Sequence, residues 1–432
     1  MKKSIVIPLL SALILFIIIG FMSCKNDDPV VITPINISLG VILPLDMEKG
    51  LLRQNALEMA IDEINENGWI GENYKINLVI KSSEGNDRRI AAAAAGQEII
   101  DQSKNLVGFV SCFSSSSLGI VENISIPDYF PTISGAATSK QLTGISDYFQ
   151  RLCPPDGFEA NVLSAQAVLY DLANVAIAVE EGDAYSIDLG QSFQEAFGSG
   201  SETLVNFSSD DPDYLTKIDQ LLSGNPDAVF VSMLNPTAFI TFFTRLTEMN
   251  RNNVLDSLTF ILCDGLYTNE LFQAPVHYMV GEINGHPKNF GAFPSADTTS
   301  NAFIYFQTKL WEKYEQQVAS YNAQFYDIGY LYALAIEKTL QETGISDLTT
   351  FREMLNDFIR PVSNDSGGNT EVSPEMGWSL MKSNCQMGGV NYTGASGNCD
   401  IDEEGNTKTA YAVFKVIKPS EHYEFSIITV IP

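Results

Sequence analysis

The chain has 432 residues, enough for two or three domains, and its 45% apolar content can supply a sizeable core. Lys and Arg total 25 against 53 Asp and Glu, a formal charge of -28; that shortage of cations argues against nucleic acid as a partner and gives the acidity to a solvated surface. Ordinary counts of Gly (31) and Pro (18) exclude bulk disorder.

Lys2 and Lys3 precede an apolar run over 5–22, and Ser23-Cys24 follows. A run of that length fits a cleaved targeting signal or an anchoring helix. Phe21-Met22-Ser23-Cys24 resembles the lipobox of bacterial lipoproteins, although Met22 stands where a small residue is usual. The resemblance implies a signal peptide over 1–23, a lipid on Cys24 and a tether over 24–36, with an uncleaved anchor as the alternative. Either arrangement holds the folded part outside the cytoplasm, facing the periplasm or displayed at the cell surface. The stretch KNDDPVVITPI is polar and broken by proline, which suits a tether. Asn26-Asp27-Asp28 resembles the acidic signal that some lipoproteins carry for surface display.

The periodicity then alternates. A strand is expected over 37–43, a loop over 44–50 and a helix over 54–65, with Ala56, Leu57, Ala60, Ile61 and Ile64 at helical spacing. A strand over 75–80 and an alanine-rich helix over 88–100 follow. Two apolar runs come next, 106–110 and 130–133, each ending in small polar residues. The first cluster spans 111–117, interrupted by Cys112 and Phe113, and the second spans 134–139. These are expected to be open loops at the carboxyl ends of parallel strands, where open α/β sheets place ligands. Their amides and hydroxyls suit a carboxylate.

Pro154-Pro155 marks an expected crossing into a second lobe, where the rhythm restarts. Helices are expected over 158–172, 189–197, 214–222 and 237–249, and strands over 174–179, 203–207, 227–232 and 258–262. Helices over 301–314, 325–339 and 351–358 follow, then a loop over 362–374 and strands over 411–416 and 425–430. The whole is an α/β chain of two Rossmann-like lobes. Lobe 1 is expected over 37–153 and 286–360, and lobe 2 over 154–285 and 361–432. Several linkers between them make a hinge.

Five cysteines remain after Cys24, an odd number. Cys385 and Cys399 bracket a Gly/Asn-rich loop and are the expected disulfide, with Cys112 and Cys153 a second candidate pair. Cys263 reads as a buried thiol. No metal site and no cofactor are expected, because no C-x-x-C occurs and His277, His286 and His422 are not clustered with cysteine. Asp400 to Gly405 lacks calcium-loop spacing and reads as a turn.

Motifs along the chain carry a family likeness: VILPL at 41–45, ALEMAIDEINENGWI at 56–70, LVGFVSCFSSSS at 106–117 and FPTISGAATSKQLT at 130–143. FQRLCPPD at 149–156, NPDAVFVS at 225–232, CDGLYT at 263–268 and YDIGYLYALAIEKTL at 326–340 continue it. In this order they resemble the type I periplasmic solute-binding proteins, of the leucine/isoleucine/valine-binding kind that serves ABC importers. The resemblance implies a two-lobed clamshell with the ligand in the inter-lobe cleft. It implies an amino-acid-like solute whose α-carboxylate is held by Ser115, Ser116, Ala137 and Thr138. Asp264 would then meet the α-ammonium, and Tyr185 stands where the family often places a cleft tyrosine. ABC permease subunits would be the protein partner. Met233 and Leu234 fall on a cleft-lining loop, and Cys112 and Phe113 replace a common Gly-Pro, so the pocket departs from the family pattern.

No G-x-S-x-G, H-E-x-x-H or G-x-x-x-x-G-K-[ST] occurs, so an enzyme is not expected. The alternative within the same fold is a sensing lipoprotein that signals to a separate partner.

Overall fold

The first strand is buried along its inner run because INISLGVIL has almost no polar side chain to solvate. The computed structural model describes residues 33–249 and 251–431; the targeting run, Cys24 and most of the expected tether lie outside the described residues. The chain begins with β1 (Ile35–Leu43), α1 (Glu48–Glu66), β2 (Tyr74–Ser82), α2 (Arg88–Gln102), β3 (Leu106–Ser111), α3 (Ser114–Ile120), β4 (Thr132–Ser134) and β5 (Phe149–Arg151). These strands form one sheet in the order β2-β1-β3-β4-β5. Parallel pairing sets Val41 beside Val110, Val110 beside Ile133 and Ile133 beside Gln150.

The chain then crosses to α4 (Asp156–Leu169), β6 (Val175–Glu180), α5 (Ala184–Phe197), β7 (Leu204–Phe207), α6 (Tyr214–Leu222), β8 (Ala228–Ser232), α7 (Pro236–Glu248) and β9 (Thr259–Leu262). A short hairpin of β10 (Glu282–Ile283) and β11 (His286–Pro287) leads to β12 (Asn289–Ser295). It returns as α8 (Asn301–Tyr314), α9 (Asn322–Glu342), α10 (Leu348–Ser363), β13 (Thr370–Val372), α11 (Trp378–Met387), β14 (Val390–Gly394) and β15 (Gly397–Asn398). A third crossing leads to β16 (Ala410–Ile417) and β17 (Glu424–Ile431). The second sheet runs β17-β16-β12-β9-β8-β6-β7, with β16 and β17 antiparallel. This is the two-lobed α/β architecture of class I periplasmic-binding proteins, with three chain crossings between the lobes. Among the described residues no helix is long and apolar enough to cross a membrane.

Fully buried Arg151 locks the crossings together. Its Nε donates to Asn406 Oδ1 at 2.8 Å, its Nη1 to the Ala137 and Ser139 carbonyls at 2.8 and 2.9 Å, and its Nη2 to Thr143 Oγ1 at 2.6 Å. Charge-assisted bonds of this kind are worth about 1.5–3 kcal/mol each, which offsets the cost of burying the guanidinium.

The structure corrects several expectations. The stretch 44–50 is not all loop, since α1 starts at Glu48. Gly50 permits this: a Cβ there would lie 2.0 Å from the Pro44 carbonyl oxygen, so only glycine lets the loop fold onto the first turn. The serine cluster is not an open loop either. Residues 114–117 form the first turn of α3, with the Ser117 N–H donating to Phe113 O at 2.8 Å, and all four serines are buried.

Residues 289–295 fall in the stretch expected for lobe 1, yet β12 sits between β9 and β16 of the second sheet, because its apolar residues complete that core. Conversely, residues 370–398 pack on lobe 1. Trp378 Nε1 donates to Trp69 O at 2.8 Å, and buried Asp327 of α9 accepts from Tyr392 Oη and the N–H groups of Ala395 and Ser396 at 2.7–2.8 Å.

The expected Cys385–Cys399 disulfide is not formed: both are free thiols. The Cys385 thiol is directed at the Leu334 carbonyl (3.6 Å), and the Cys399 thiol at Ser396 Oγ (3.7 Å) beside Asp327. The two side chains are committed to different neighbours. Cys112 and Cys153 are free thiols as well. The acidic stretch at 400–405 is a turn, in which Asp402 Oδ1 accepts the N–H groups of Glu404 and Asn406 at 2.9 Å each.

Candidate functional site

The lobes meet around a small cavity of about 10 Å³, lined by Lys49, Arg53, Phe113, Ser114, Ala136, Tyr185, Leu234, Asp264, Gly265, Ser320 and Tyr321. That is room for about one water molecule. A groove of about 640 Å³ lies beside it and shares Lys49 and Ser320 as lining residues.

From lobe 2, Asp264 is the hub. It follows β9, and its carboxylate accepts hydrogen bonds from both Tyr185 Oη and Tyr321 Oη. Its own N–H donates to Glu159 Oε1 at 2.9 Å. The next residue must be glycine for this to assemble: a Cβ on Gly265 would meet Met233 O at 2.8 Å and the Tyr185 ring at 3.2 Å. Burial and the Asp264 charge push the Tyr185 and Tyr321 phenols well above their usual value, so both stay protonated as donors. Burial, with Asp264 adding to it, also holds the Glu159 carboxyl well above the ordinary range. Asp156, buried against the Thr138 hydroxyl, shifts the same way from burial.

From lobe 1, α1 presents Lys49 and Arg53 four residues apart on one face. Lys49 Nζ donates across the cleft to Gly265 O at 2.9 Å. Burial first, then the Arg53 charge, lower its pKa to about 8. Arg53 is 2% exposed, with its guanidinium carbon 5.1 Å from the Phe113 ring centroid, 5.2 Å from Tyr321 and 5.9 Å from Phe325. Its Nη1 points at Cys112 Sγ (3.1 Å), and its Nε is buried with no hydrogen-bond partner. Tyr321 is held over the guanidinium at φ 66°, a backbone region rare for an aromatic residue.

The structure brings Tyr185 and Asp264 together directly. Ser115, Ser116, Ala137 and Thr138 do not line the cavity, while their neighbours Ser114 and Ala136 do. Ser114 Oγ accepts the Ser139 N–H at 3.0 Å, tying the two small-residue clusters to each other. Of the two cleft-loop residues, Leu234 lines the cavity and Met233 gives its carbonyl oxygen to the Cys263 thiol at 3.4 Å. Lys49, Arg53, Glu159 and Tyr321 were not anticipated. One signal was available: Arg53 stands three and four residues before Ala56 and Leu57, a cation on the same apolar stripe. Among the described residues, no group of three or more His, Cys, Asp or Glu is placed to hold a metal ion.

Over residues 52–418 the sequence matches the family described as the receptor family ligand binding region. Among solved structures, the leucine-binding protein LivK of Thermotoga maritima superposes with a TM-score of 0.71 at 20% identity, covering 91% of this chain and 98% of that one. The branched-chain amino acid transporter substrate-binding protein LivJ of Streptococcus pneumoniae, in complex with isoleucine, gives 0.67 at 18% identity, covering 91% and 100%. An ABC-transporter solute-binding protein of R. palustris, in complex with benzoate, gives 0.67 at 14% identity, covering 92% and 97%. At these identities the likeness is one of fold. A comparison with curated proteins found no match. With its sequence match spanning most of both lobes, this chain belongs to the family of receptor ligand-binding regions.

Proposed function

We propose that the protein is an extracytoplasmic solute-binding lipoprotein. It captures a small amino-acid-like solute between its lobes and presents it to the permease subunits of an ABC importer. The observation that carries the reading is the opposition of charge across the cleft: cationic side chains come from α1 of lobe 1, and Asp264 comes from lobe 2. A zwitterion fits such a cleft in one orientation, with its ammonium toward Asp264 and Tyr185 and its carboxylate toward lobe 1. Ser115, Ser116, Ala137 and Thr138 adjoin the lining residues Ser114 and Ala136 on the lobe 1 side, where they would add to the carboxylate site. Closure then builds a joint outer surface from both lobes, and affinity follows from how much better the closed state holds the solute than the open one.

The lipid anchor at Cys24 completes the reading, supported by the lipobox-like FMSC. Metabolic labelling with a fatty-acid analogue should be lost in Cys24→Ala, and labelling that persists in the variant would reject that anchor. The binding test is a thermal-shift panel on the full chain in mild detergent, using amino acids, amides and small carboxylates. A bound solute raises the melting temperature by mass action. A panel in which no amino acid shifts it would overturn the amino-acid reading. A sensing lipoprotein would show the same binding, so loss of cellular uptake on deletion is the measurement that separates transport from sensing.

A further inference from the structure

Neither lining cation is paired with an acidic side chain among the described residues, and Arg53 lacks even the backbone carbonyl that Lys49 finds. Lys49 is bonded to the Gly265 carbonyl, and the Asp264 carboxylate is taken by two tyrosine hydroxyls. Among the described residues Arg53 forms no ion pair. Its hydrogen bond goes to a thiol, its Nε goes unanswered, and three aromatic faces hold the guanidinium in place. A guanidinium buried to this degree is costly unless an anion joins it, because aromatic faces return only part of the lost hydration. Its planar fork is the shape that grips a carboxylate by two parallel bonds.

The formal charges lining the cavity point the same way: Lys49 and Arg53 are positive and Asp264 is negative. A zwitterionic amino acid is neutral and leaves one positive charge unanswered. A solute with one more carboxylate balances the site.

We propose that the solute is an acidic amino acid or an amine-bearing dicarboxylate of similar length, whose second carboxylate is taken by Arg53 with Lys49 beside it. This deepens the amino-acid reading above and rests on it. The second carboxylate would supply the partner that Arg53 Nε lacks, and Phe113 and Tyr321 would keep water off the pair. Arg53 thereby acts as a specificity-determining residue: it favours an acid over the amide of the same shape.

The test is titration calorimetry at neutral pH on the full chain in mild detergent. The probes are L-glutamate and L-aspartate, their amide isosteres L-glutamine and L-asparagine, L-leucine, and glutarate, which lacks the amine. At least one acid is expected to bind about tenfold or more tighter than its own amide, the scale of a charge-assisted pair. Arg53→Gln should bring that ratio down to within about twofold, because the acid loses more affinity than its amide does. Lys49→Gln serves as the second variant should Arg53→Gln fail to fold, with Arg53→Lys retaining part of the preference.

Equal binding of acid and amide, or a ratio that survives both substitutions, overturns the proposal. Tight leucine binding without an acid preference also overturns it and leaves the amino-acid reading standing. Arg53-dependent glutarate binding with no amino acid bound would reject the amine and keep the anion site. No binding by any probe would reject this inference together with the reading it rests on.

Discussion

Ser115 and Asp183 join the two lobes: Ser115 Oγ donates to Asp183 Oδ2 at 3.0 Å and accepts the Ala184 N–H at 3.1 Å. The same Asp183 caps α5 by accepting the Ser186 N–H at 2.9 Å. One carboxylate thus starts a lobe 2 helix and receives a lobe 1 serine, so the closed geometry is coupled to a helix end. Ser139 and Gln141 add a second contact of this kind at Asp188, with Gln141 Nε2 donating at 3.1 Å.

Ser115→Ala removes two inter-lobe hydrogen bonds, each worth about 0.5–1.5 kcal/mol. Solute affinity should fall roughly fivefold to a hundredfold, because closure is the step that loses them. A double-mutant cycle with Asp183→Ala, read by calorimetry, should give a coupling energy of at least about 0.5 kcal/mol. Purely additive losses would mean that this contact does not operate in the bound state.

Asp264→Ala should weaken an amino-acid solute about tenfold or more while leaving the circular dichroism spectrum intact. The substitution strips the carboxylate partner from Tyr185 and Tyr321, whose buried hydroxyls then lack an acceptor. An unchanged dissociation constant would remove Asp264 from the site.

Arg53→Met should raise the melting temperature when no solute is added. Cation–π contacts contribute about 0.5–2 kcal/mol, whereas taking an unpaired charge out of water costs several kcal/mol, and the larger effect sets the sign. A rise of roughly 1–2 °C is the scale for about 1 kcal/mol in a chain of 432 residues. A lower melting temperature would show that the aromatic cage outweighs the charge.

Glu180 gives a pH dependence of defined sign. Burial, with Asp183 nearby, pushes its carboxyl up to about 7, although it accepts the N–H groups of Leu234 and Asn235 at 2.9 Å each. The folded state therefore holds this proton more tightly than the unfolded chain, whose value lies near 4.5. Its stability contribution is fully present below that value and is lost as pH rises through about 7. Glu180→Gln should flatten the melting temperature against pH between about 4.5 and 7. Parallel profiles for the two proteins would reject the assignment.

Alkylation of the unfolded protein without a reductant, followed by peptide mass spectrometry, should label both Cys385 and Cys399. Each thiol is buried and directed at its own neighbour. Recovery of the two as a disulfide-linked peptide would contradict the structure.

How much was legible follows from the range over which each signal acts. Strand and helix order could be read from local periodicity, since β3 and β8 are apolar up to a closing serine and α5 and α7 follow Asp183 and Asn235 caps. The meeting of Tyr185 with Asp264 was legible only because family motifs stand at both positions, 79 residues apart.

The placement of 289–295 and 370–398 was not legible, because an apolar strand carries no mark of which sheet it will complete. The serines of 114–117 illustrate the opposite failure: small hydroxyls read as a loop, but a parallel strand feeding a buried helix needs small residues at that turn.

By itself the sequence determined an α/β chain of two lobes and the small-residue ends of its strands, because those depend on side-chain volume and spacing along the chain. Tertiary structure alone decided which charges line the cleft. Lys49 and Arg53 gain their role from the long-range contacts that bury them against Phe113, Gly265 and Tyr321, and burial in a dry, aromatic-walled space turns an ordinary surface cation into a demand for an anion.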